Sequence, residues 1–581
     1  FTGGLTGALF REFAVTLAGS VIISGIVAVT ITPMMAARLL TRGGHSRFQQ
    51  VVDRSFERLA NWYERRVSGS LNYRPVTFLV VAVLMGLSGF LFLNTSSELA
   101  PEEDSGALFS FVNAPPYATS EYTRTYVDQM RDLTKDLPEL DANFSITGFG
   151  GSTNSAIALW AFKDWSERTR SQKEIQADLQ GRLAPVTGVQ AFVFAPPSLP
   201  GAGGGLPISM VLQSTGDPSR IYEVAEEIRQ KAQASGRFII VQNSLAYNAP
   251  QVRIRIDRER AAALNLPARD IGTTLGLLVG GGAVAQFDRD SNSYDVILQV
   301  PETYRDNPEK LSQFYIRATT GQMVPLGSFI ELSDTTGPAI ASQYNLYPTA
   351  AVMGVPNPGY SSGDALAAIE QVARDVLPDG FSFEWTAMSY QEKLVGNTVV
   401  LVFLLSILLV YLVLAAQYES WVAPLPVILA VPLALVGTVI ALFLTGLDNN
   451  IYVQIGLVLM IALASKNAIL IVEVALEAKK EGYNLVEAAL KASHERFRPI
   501  VMTSIAFILG VVPLLTSSGA GAAARVSIGI TVFSGMIAST CLAVALVPIF
   551  FVQIEGWFDA RAAKAAEKKA QALAAQVKQD Q

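Results

Sequence analysis

Seven stretches of this chain stay apolar for spanning lengths: 13–36, 75–94, 394–416, 422–446, 451–476, 499–517 and 526–553. Runs of about 20 such residues cross a bilayer rather than sit in a globular core. In the middle of the fifth stands Lys466, and no stretch offers it a carboxylate at the same depth. An ammonium at the centre of a spanning helix costs about 2.5–3.5 kcal/mol on insertion scales, so such residues face a bundle interior and mark ion or proton paths. Glu473, the only acidic residue inside any stretch, lies seven residues on along the same face. That is about 11 Å, too far for a direct pair, and Glu473 reads as a second polar contact near the cytoplasmic end. A purely structural ammonium, hydrogen-bonded to carbonyls or neutralised by burial, is the alternative. Ser465, Asn467 and Thr503 make the surroundings polar in either case.

The chain of 581 residues is half apolar, which means a membrane part plus a soluble part. A net charge of -6 gives no reason to expect nucleic acid as a partner. Cys541 is the single cysteine, and His45 and His494 the only histidines, so neither a disulfide framework nor a thiolate or imidazole metal site is expected. There is no G-x-x-x-x-G-K-[ST], no H-E-x-x-H and no serine elbow, so neither enzymatic action nor a cofactor is expected. The first residue is Phe1, without a charged start or cleavage site, and the chain reads as the rear of a longer protein.

The segment from Arg38 to Arg74 holds eight arginines against Asp53, Glu57 and Glu64, which places it in the cytoplasm. Lys479, Lys480, Lys491, Arg496, Arg498 and the lysine-rich tail after Trp557 fall on that same side, while the uncharged-to-acidic loop Gly446 to Asn450 falls opposite. Phe48, Val52, Phe56, Leu59, Tyr63, Val67 and Leu71 recur at helical spacing with Arg54, Arg58, Arg65 and Arg66 between them. This pattern predicts an interfacial helix on the inner leaflet, or one packed on another soluble domain.

Residues 95–393 are soluble in composition and lie between two spans on the non-cytoplasmic face. Strand 107–113, helix 120–137, strands 144–149 and 156–163, helix 172–183 and strand 189–195 give β-α-β-β-α-β, the ferredoxin-like order. A second set starts with strand 208–213, helix 221–234 and strand 238–243. It finishes after an interruption with strand 349–355, helix 362–376 and strand 382–386. The interruption, roughly 250–340, has its own strands at 252–256 and 294–299 and reads as an inserted subdomain. Aromatic pairs mark the first set: Phe109 with Phe111, Phe144 with Phe149, Trp160 with Phe162, Phe192 with Phe194. Alternation assigns one of each pair to the core. The rest could line an apolar cavity that takes amphiphiles by stacking and dispersion.

The chain resembles the resistance-nodulation-division superfamily, in its hydrophobe/amphiphile multidrug efflux branch, over nearly its whole length. The segments that carry the likeness are F-T-G-G-L-T-G-A-L-F-R-E-F at 1–13, R-P-V at 74–76, G-F-G at 148–150, K-D-W at 163–165, T-G-Q-M-V-P at 320–325 and M-S-Y-Q-E-K at 388–393. They continue with A-A-Q-Y-E-S-W at 415–421, A-S-K-N-A-I-L-I-V-E at 464–473 and R-F-R-P-I-V-M-T-S at 496–504.

The resemblance implies an α-helical membrane bundle plus an α+β periplasmic domain, with seven transmembrane helices, ferredoxin-like porter subdomains and an inserted docking subdomain. Its parts would be a loop, a transmembrane helix, a cytoplasmic amphipathic helix and a second transmembrane helix in 1–94; porter subdomains in 95–205 and in 206–249 with 341–390; docking in 250–340; five helices in 391–555; and a cytoplasmic tail in 556–581. The implied site is a proton relay of Lys466, Arg496 and Thr503, with the lysine facing two aspartates on an earlier helix not in this chain. Implied substrate contacts are Phe111, Phe144, Phe149 and, in an outer pocket beside the P-P-S-L-P-G-A-G-G-G run at 196–205, Phe194. After Gly150 the loop reads G-S-T-N-S and lacks the family's second phenylalanine, so the usual drug range does not carry over. The implied activity is proton-driven export of amphiphilic small molecules from the Gram-negative inner membrane and periplasm. A homotrimer would act with a periplasmic adaptor protein and an outer-membrane channel. Heavy-metal export would want clustered Met or Cys ligands, whereas Met130, Met210, Met323, Met353 and Met388 are scattered. A non-transporting remnant without its aspartates is the other alternative.

Overall fold

Apolar runs become helices in a bilayer because every backbone N–H and C=O must then be satisfied within the segment itself. The computed structural model describes residues 3–39, 47–199, 206–338, 340–357 and 359–579. His45 and the second half of the 196–205 run lie outside the described residues. Helices α1 (Gly4–Leu39), α2 (Arg47–Asn72) and α3 (Arg74–Leu93) come first. The apolar face of α2 is spent on protein: Tyr63, Val67 and Leu71 are buried, and the Tyr63 ring stacks on Phe497 at 4.6 Å. A hydrogen-bond contact of His494 Nδ1 with Glu64 and an ion pair of Arg498 with Asp53, both 2.9 Å, fix its register. Val51, Leu59 and Trp62 stay exposed. The leaflet-facing stripe expected from sequence is thus largely a packing face against other helices of this chain.

The soluble region begins with β1 (Ala107–Asn113), α4 (Ser120–Thr134), β2 (Leu140–Thr147), β3 (Ser155–Phe162), α5 (Gln172–Leu183) and β4 (Gln190–Phe194). Its sheet runs β2-β3-β1-β4. One face packs on α4 and α5 through Leu108, Val112, Trp160, Val193, Met130, Ile175 and Leu179. Trp160 is fully buried there, its indole N–H donating to Thr134 Oγ1 at 3.0 Å, so burying the ring leaves no polar atom unpaired. A forked ion pair from Arg170 to the buried Glu139, at 2.7 Å, closes one end, and that guanidinium holds the Glu139 carboxyl below its ordinary range.

The second sheet uses β5 (Ile208–Ser214), α6 (Pro218–Ala234) and β6 (Phe238–Asn243). The chain then leaves through β7 (Ala249–Ile256), α7 (Arg258–Ala263), α8 (Ala268–Leu275), β8 (Gly282–Arg289), β9 (Asn292–Leu298), β10 (Tyr315–Arg317), β11 (Met323–Pro325) and β12 (Ile330–Gly337). Within this excursion β7 pairs with β12, β10 with β11, and β8 with β9 as an exposed hairpin. The chain returns with β13 (Ser342–Tyr344), β14 (Tyr347–Pro356), α9 (Ser362–Val376) and β15 (Phe381–Trp385). Strand β14 pairs β5 and β6, and β15 pairs the other side of β5, so the split halves form one sheet.

Two residues after β15 the chain enters α10 (Ala387–Tyr418), so a single helix runs from the sheet into the apolar region. It is followed by α11 (Leu425–Ile428), α12 (Val431–Thr445), α13 (Ile451–Lys480), α14 (Leu485–Leu515), α15 (Ala522–Ala538) and α16 (Val544–Gln579). Pro432 splits the expected 422–446 run, because its ring excludes the carbonyl four residues back. Among the described residues, seven helical segments are long and apolar enough to cross a membrane, counting α11 with α12 and α15 with α16 as one each. The apolar run expected from 499 lies inside a longer helix. An Asn484–Glu487 capping box begins α14 fourteen residues earlier and carries Arg496 inside the helix.

Small residues let α12, α13 and α15 approach closely, as membrane helices do where dispersion replaces the hydrophobic effect. A methyl group at Gly437 would come within 2.5 Å of the Ser534 carbonyl oxygen, and one at Gly456 within 2.6 Å of Thr531 Cγ2. The Ser534 obstacle is backbone and cannot rotate away. Gly437→Val in the complete protein is therefore expected to cost about 1–3 kcal/mol, read as a lowered unfolding temperature in detergent.

Candidate functional site

The linker between α3 and β1 binds several elements through its acidic residues. Residues 96–99 lie alongside the start of α13: Asn449 N–H donates to Ser96 O at 2.8 Å and Ile451 N–H to Leu99 O at 3.1 Å. Glu98 accepts from Asn450 Nδ2 at 3.1 Å, and Asn450 also caps α13 through Tyr452 and Val453. Glu103 accepts from the N–H groups of Ala523 and Ala524 at the start of α15, where the helix dipole favours an anion. Asp104 binds the Trp165 indole N–H at 3.0 Å and the Arg168 guanidinium at 3.0 Å, in and just after K-D-W.

Within the membrane part, Lys466 lies on the exposed side of α13 while its neighbours Ser465 and Asn467 are buried. Ser465 Oγ donates back to the Ile461 carbonyl at 2.7 Å, and Asn467 Nδ2 has no hydrogen-bond partner among the described residues. Neighbours in sequence therefore do not all share the lysine's face. Helices α13 and α14 form an antiparallel pair through a short turn. Counting from that turn at roughly 1.5 Å per residue, Lys466 stands about 21 Å along α13, with Arg496 about 17 Å and Thr503 about 27 Å along α14. The lysine's depth thus falls between the other two. Arg496 is half-buried with Nε unpartnered among the described residues, and Thr503 is exposed, its hydroxyl donating to Ile500 O at 3.0 Å. Neither Lys466 nor Glu473 forms an ion pair among the described residues. Both sit on a side of α13 that the described residues leave uncovered.

In the first sheet the aromatic residues sort by face, and the expected division of each pair is overturned. Residues two apart on a strand point the same way, so Phe109 and Phe111 both face away from α4 and α5, while Trp160 and Phe162 both enter the core. Register places Phe109 opposite Phe194 and Leu159, Phe111 opposite Phe192 and Ile157, and Phe144 opposite Leu159. All of these line one open face. The Phe111 ring stacks on Phe194 at 5.0 Å and meets Phe149 at 6.4 Å. Phe149 leaves the strand expected for it: β2 ends at Thr147, and Phe149 begins a one-turn helix whose flanking glycines, Gly148 and Gly150, have φ of 77° and 73°. Four sequence-predicted residues, Phe111, Phe144, Phe149 and Phe194, thus border the same surface. Phe194 is covered by its neighbours, whereas Phe144 is 59% exposed.

A bundle of long apolar helices carrying a large β-rich soluble region is the plan of a multi-pass membrane protein. The family description for AcrB/AcrD/AcrF matches residues 1–555. Among relatives, the "Multidrug/solvent efflux pump membrane transporter MepB" of Pseudomonas putida is 38% identical over 577 residues, covering 97% of this chain and 55% of that protein. The "Toluene efflux pump membrane transporter TtgB" of the same species is 38% identical over 577 residues, with the same 97% and 55% coverage. The "Multidrug export protein AcrF" of Escherichia coli is 34% identical over 579 residues, covering 96% and 56%. This chain belongs to the AcrB/AcrD/AcrF family of resistance-nodulation-division transporters, inner-membrane multi-pass proteins with periplasmic domains. It spans about half the length of the curated relatives it matches.

Sequence reasoning missed Glu98 and Asn450, which join the linker to α13. They lie outside the spans, and only the fold brings them together; the one local hint was Asn450 standing directly before the fifth apolar run, where an N-cap belongs. The open face separates stability from recognition. Trp160→Ala is expected to cost about 3–5 kcal/mol and reduce folded yield. Phe144→Ala should leave the unfolding temperature unchanged and alter which compounds the complete protein handles, measured by resistance profiling.

Proposed function

We propose that this chain works as the C-terminal half of a proton-driven exporter of amphiphilic drugs and other hydrophobic compounds. One observation carries the reading: an ammonium near the middle of the long apolar helix α13, on a face that the described residues leave uncovered, level with the Arg496–Thr503 segment of α14. A charge there requires an anion, which an earlier helix of the complete protein supplies, in this scheme as a pair of aspartates. Protonating that anion releases Lys466, and the two occupancies favour different packings of α13 against its neighbours. Arg496 and Thr503 extend the relay along α14. The linker carries the shift of α13 and α15 to the soluble region.

There, residues 95–205 and 206–249 with 341–390 act as porter subdomains; the strand orders β2-β3-β1-β4 and β15-β5-β14-β6 support a ferredoxin-like reading of each. The open aromatic face of the first binds substrate by stacking, with few fixed polar demands. Residues 250–340 act as the docking subdomain toward an adaptor and an outer-membrane channel, and the exposed β8–β9 hairpin suits contact with a neighbouring protomer of a homotrimer. Relatives whose names say multidrug, solvent and toluene efflux support this substrate class.

Lys466→Ala in the complete protein, expressed in cells stripped of other exporters, is expected to reach the membrane in normal amount and to confer no more resistance than an empty vector. Undiminished resistance would remove the coupling role.

A further inference from the structure

The soluble and membrane parts meet at a small polar junction that the transport scheme has not used. Glu392, on the first turns of α10, accepts from Ser362 Oγ through both carboxylate oxygens, at 3.0 and 2.8 Å. Ser362 opens α9, whose next residue, Gly363, donates its N–H to Ser97 O at 3.0 Å. The fit leaves no room for a side chain: a methyl at Gly363 would lie 2.7 Å from Ser97 O and 3.4 Å from Glu392 Oε1. On the other side of Ser97, Glu98 holds Asn450, which caps α13 and contacts Ser527 of α15 at 3.4 Å. Two half-buried carboxylates therefore flank one backbone contact that joins the second sheet to the helix bearing Lys466.

We propose that Glu98 and Glu392 form a proton-sensitive latch between α9 and α13, closed while the pair carries at most one negative charge and loosened when both are ionised. The inference rests on the proposed transport function for its purpose, but not for its chemistry. Little cationic charge offsets the pair. Asp448 before α13 and Glu102 on the linker add negative charge near Glu98, and Asp364 on α9 does so near Asp448. Lys393 on α10 is nearby, but its ammonium is engaged by Glu370 and lies 5.3 Å from the centre of the Trp385 ring. Burial, with Asp448 and Glu102 adding to it and the Asn450 hydrogen bond opposing it, pushes the Glu98 carboxyl up to about 7. Burial likewise pushes Glu392 up to about 7, the Glu98 charge adding to it and Ser362 opposing it.

The sign follows from linkage. A carboxyl raised in the closed form binds its proton more tightly there than when released to water, so acid favours closure. Closure is fully favoured below the ordinary carboxylate range, weakens as pH rises from there to about 7, and changes no further above it. An acidic periplasm would then keep α13 and α9 moving together, and a neutral one would let them slip.

Hydrogen–deuterium exchange of the complete, purified pump tests this, corrected for intrinsic rates and read on peptides covering 361–365 and 449–453. Between about pH 5 and about pH 7.5, protection at Gly363 should fall by roughly tenfold or more. Glu98→Gln with Glu392→Gln should abolish the fall. Ser362→Ala removes a donor that favours the charged form and should move the midpoint to higher pH; a merely structural serine would lower protection equally at every pH. An unchanged midpoint in Ser362→Ala, a fall that survives the double substitution, or no fall in the parent overturns the latch. The Lys466→Ala pump should keep the pH response: losing export while the response persists supports the latch as a separate device. A parent that shows the response but no proton-dependent export also supports it, and removes only the transport reading.

Discussion

In the proposed pump, the arrangement of the membrane helices serves one requirement, that an ammonium within the bilayer face an anion. Helix α13 is buried along most of its length by α12, α14, α15 and α16, yet it turns Lys466 and, two turns on, Glu473 to the one side where the described chain provides no cover. Packing on the other sides is dense and small-residue driven, with Gly437, Gly456 and Gly535 each in close contact with a neighbouring helix. A shift of α13 relative to α15 would disturb those contacts, so the two are best regarded as a rigid pair in the proposed cycle. What can change is the interface at the lysine.

Rigidity inside the bundle makes the linker 95–106 the natural route outward. Each acidic side chain that binds a separate element does so by a different physical device: Glu98 by a cap residue, Glu103 by a helix dipole, Asp104 by an indole and a guanidinium. None of these polar contacts depends on apolar area, but Leu99 seats the linker in a small apolar cluster with Leu199, Leu5, Leu9 and Met388, which a displacement would expose. Helix α10 complements it, because a helix continuous from Ala387 to Tyr418 transmits an axial push with little loss.

Elements governed by local pattern were legible from sequence. The helices over 172–183 and 362–376 and the strands over 107–113 and 238–243 have the same bounds in the structure, since each is delimited by a cap, a glycine or a clear change of period. The errors arose where tertiary context decides. Hydropathy marked only the apolar part of α14, because its first turns, roughly four of them, carry Lys491 and Arg496 and are polar yet helical. The amphipathic stripe of α2 gave its helix correctly, but not whether lipid or protein would cover it. The lysine was visible at once as an anomaly of composition in an apolar run. The carboxylates of the junction were not, for in sequence they are ordinary acidic residues 294 positions apart, with nothing local to mark them.

The aromatic face shows how one periodicity can be read two ways. Pairs such as Phe109 and Phe111 looked like half core and half cavity, but residues two apart share a face, so each pair commits wholly to one side. The consequence is a sheet with one face sealed by α4 and α5 and the other built almost entirely of phenylalanine and aliphatic side chains. Leaving such a surface open is unfavourable for a monomer and is retained only where something covers it. In the proposed pump the cover is transient, a bound amphiphile, with Phe149 on its glycine-flanked turn standing at the edge. Dispersion against flat rings discriminates weakly by shape and hardly at all by polar pattern, so a broad substrate range would follow from the face itself rather than from any single residue on it.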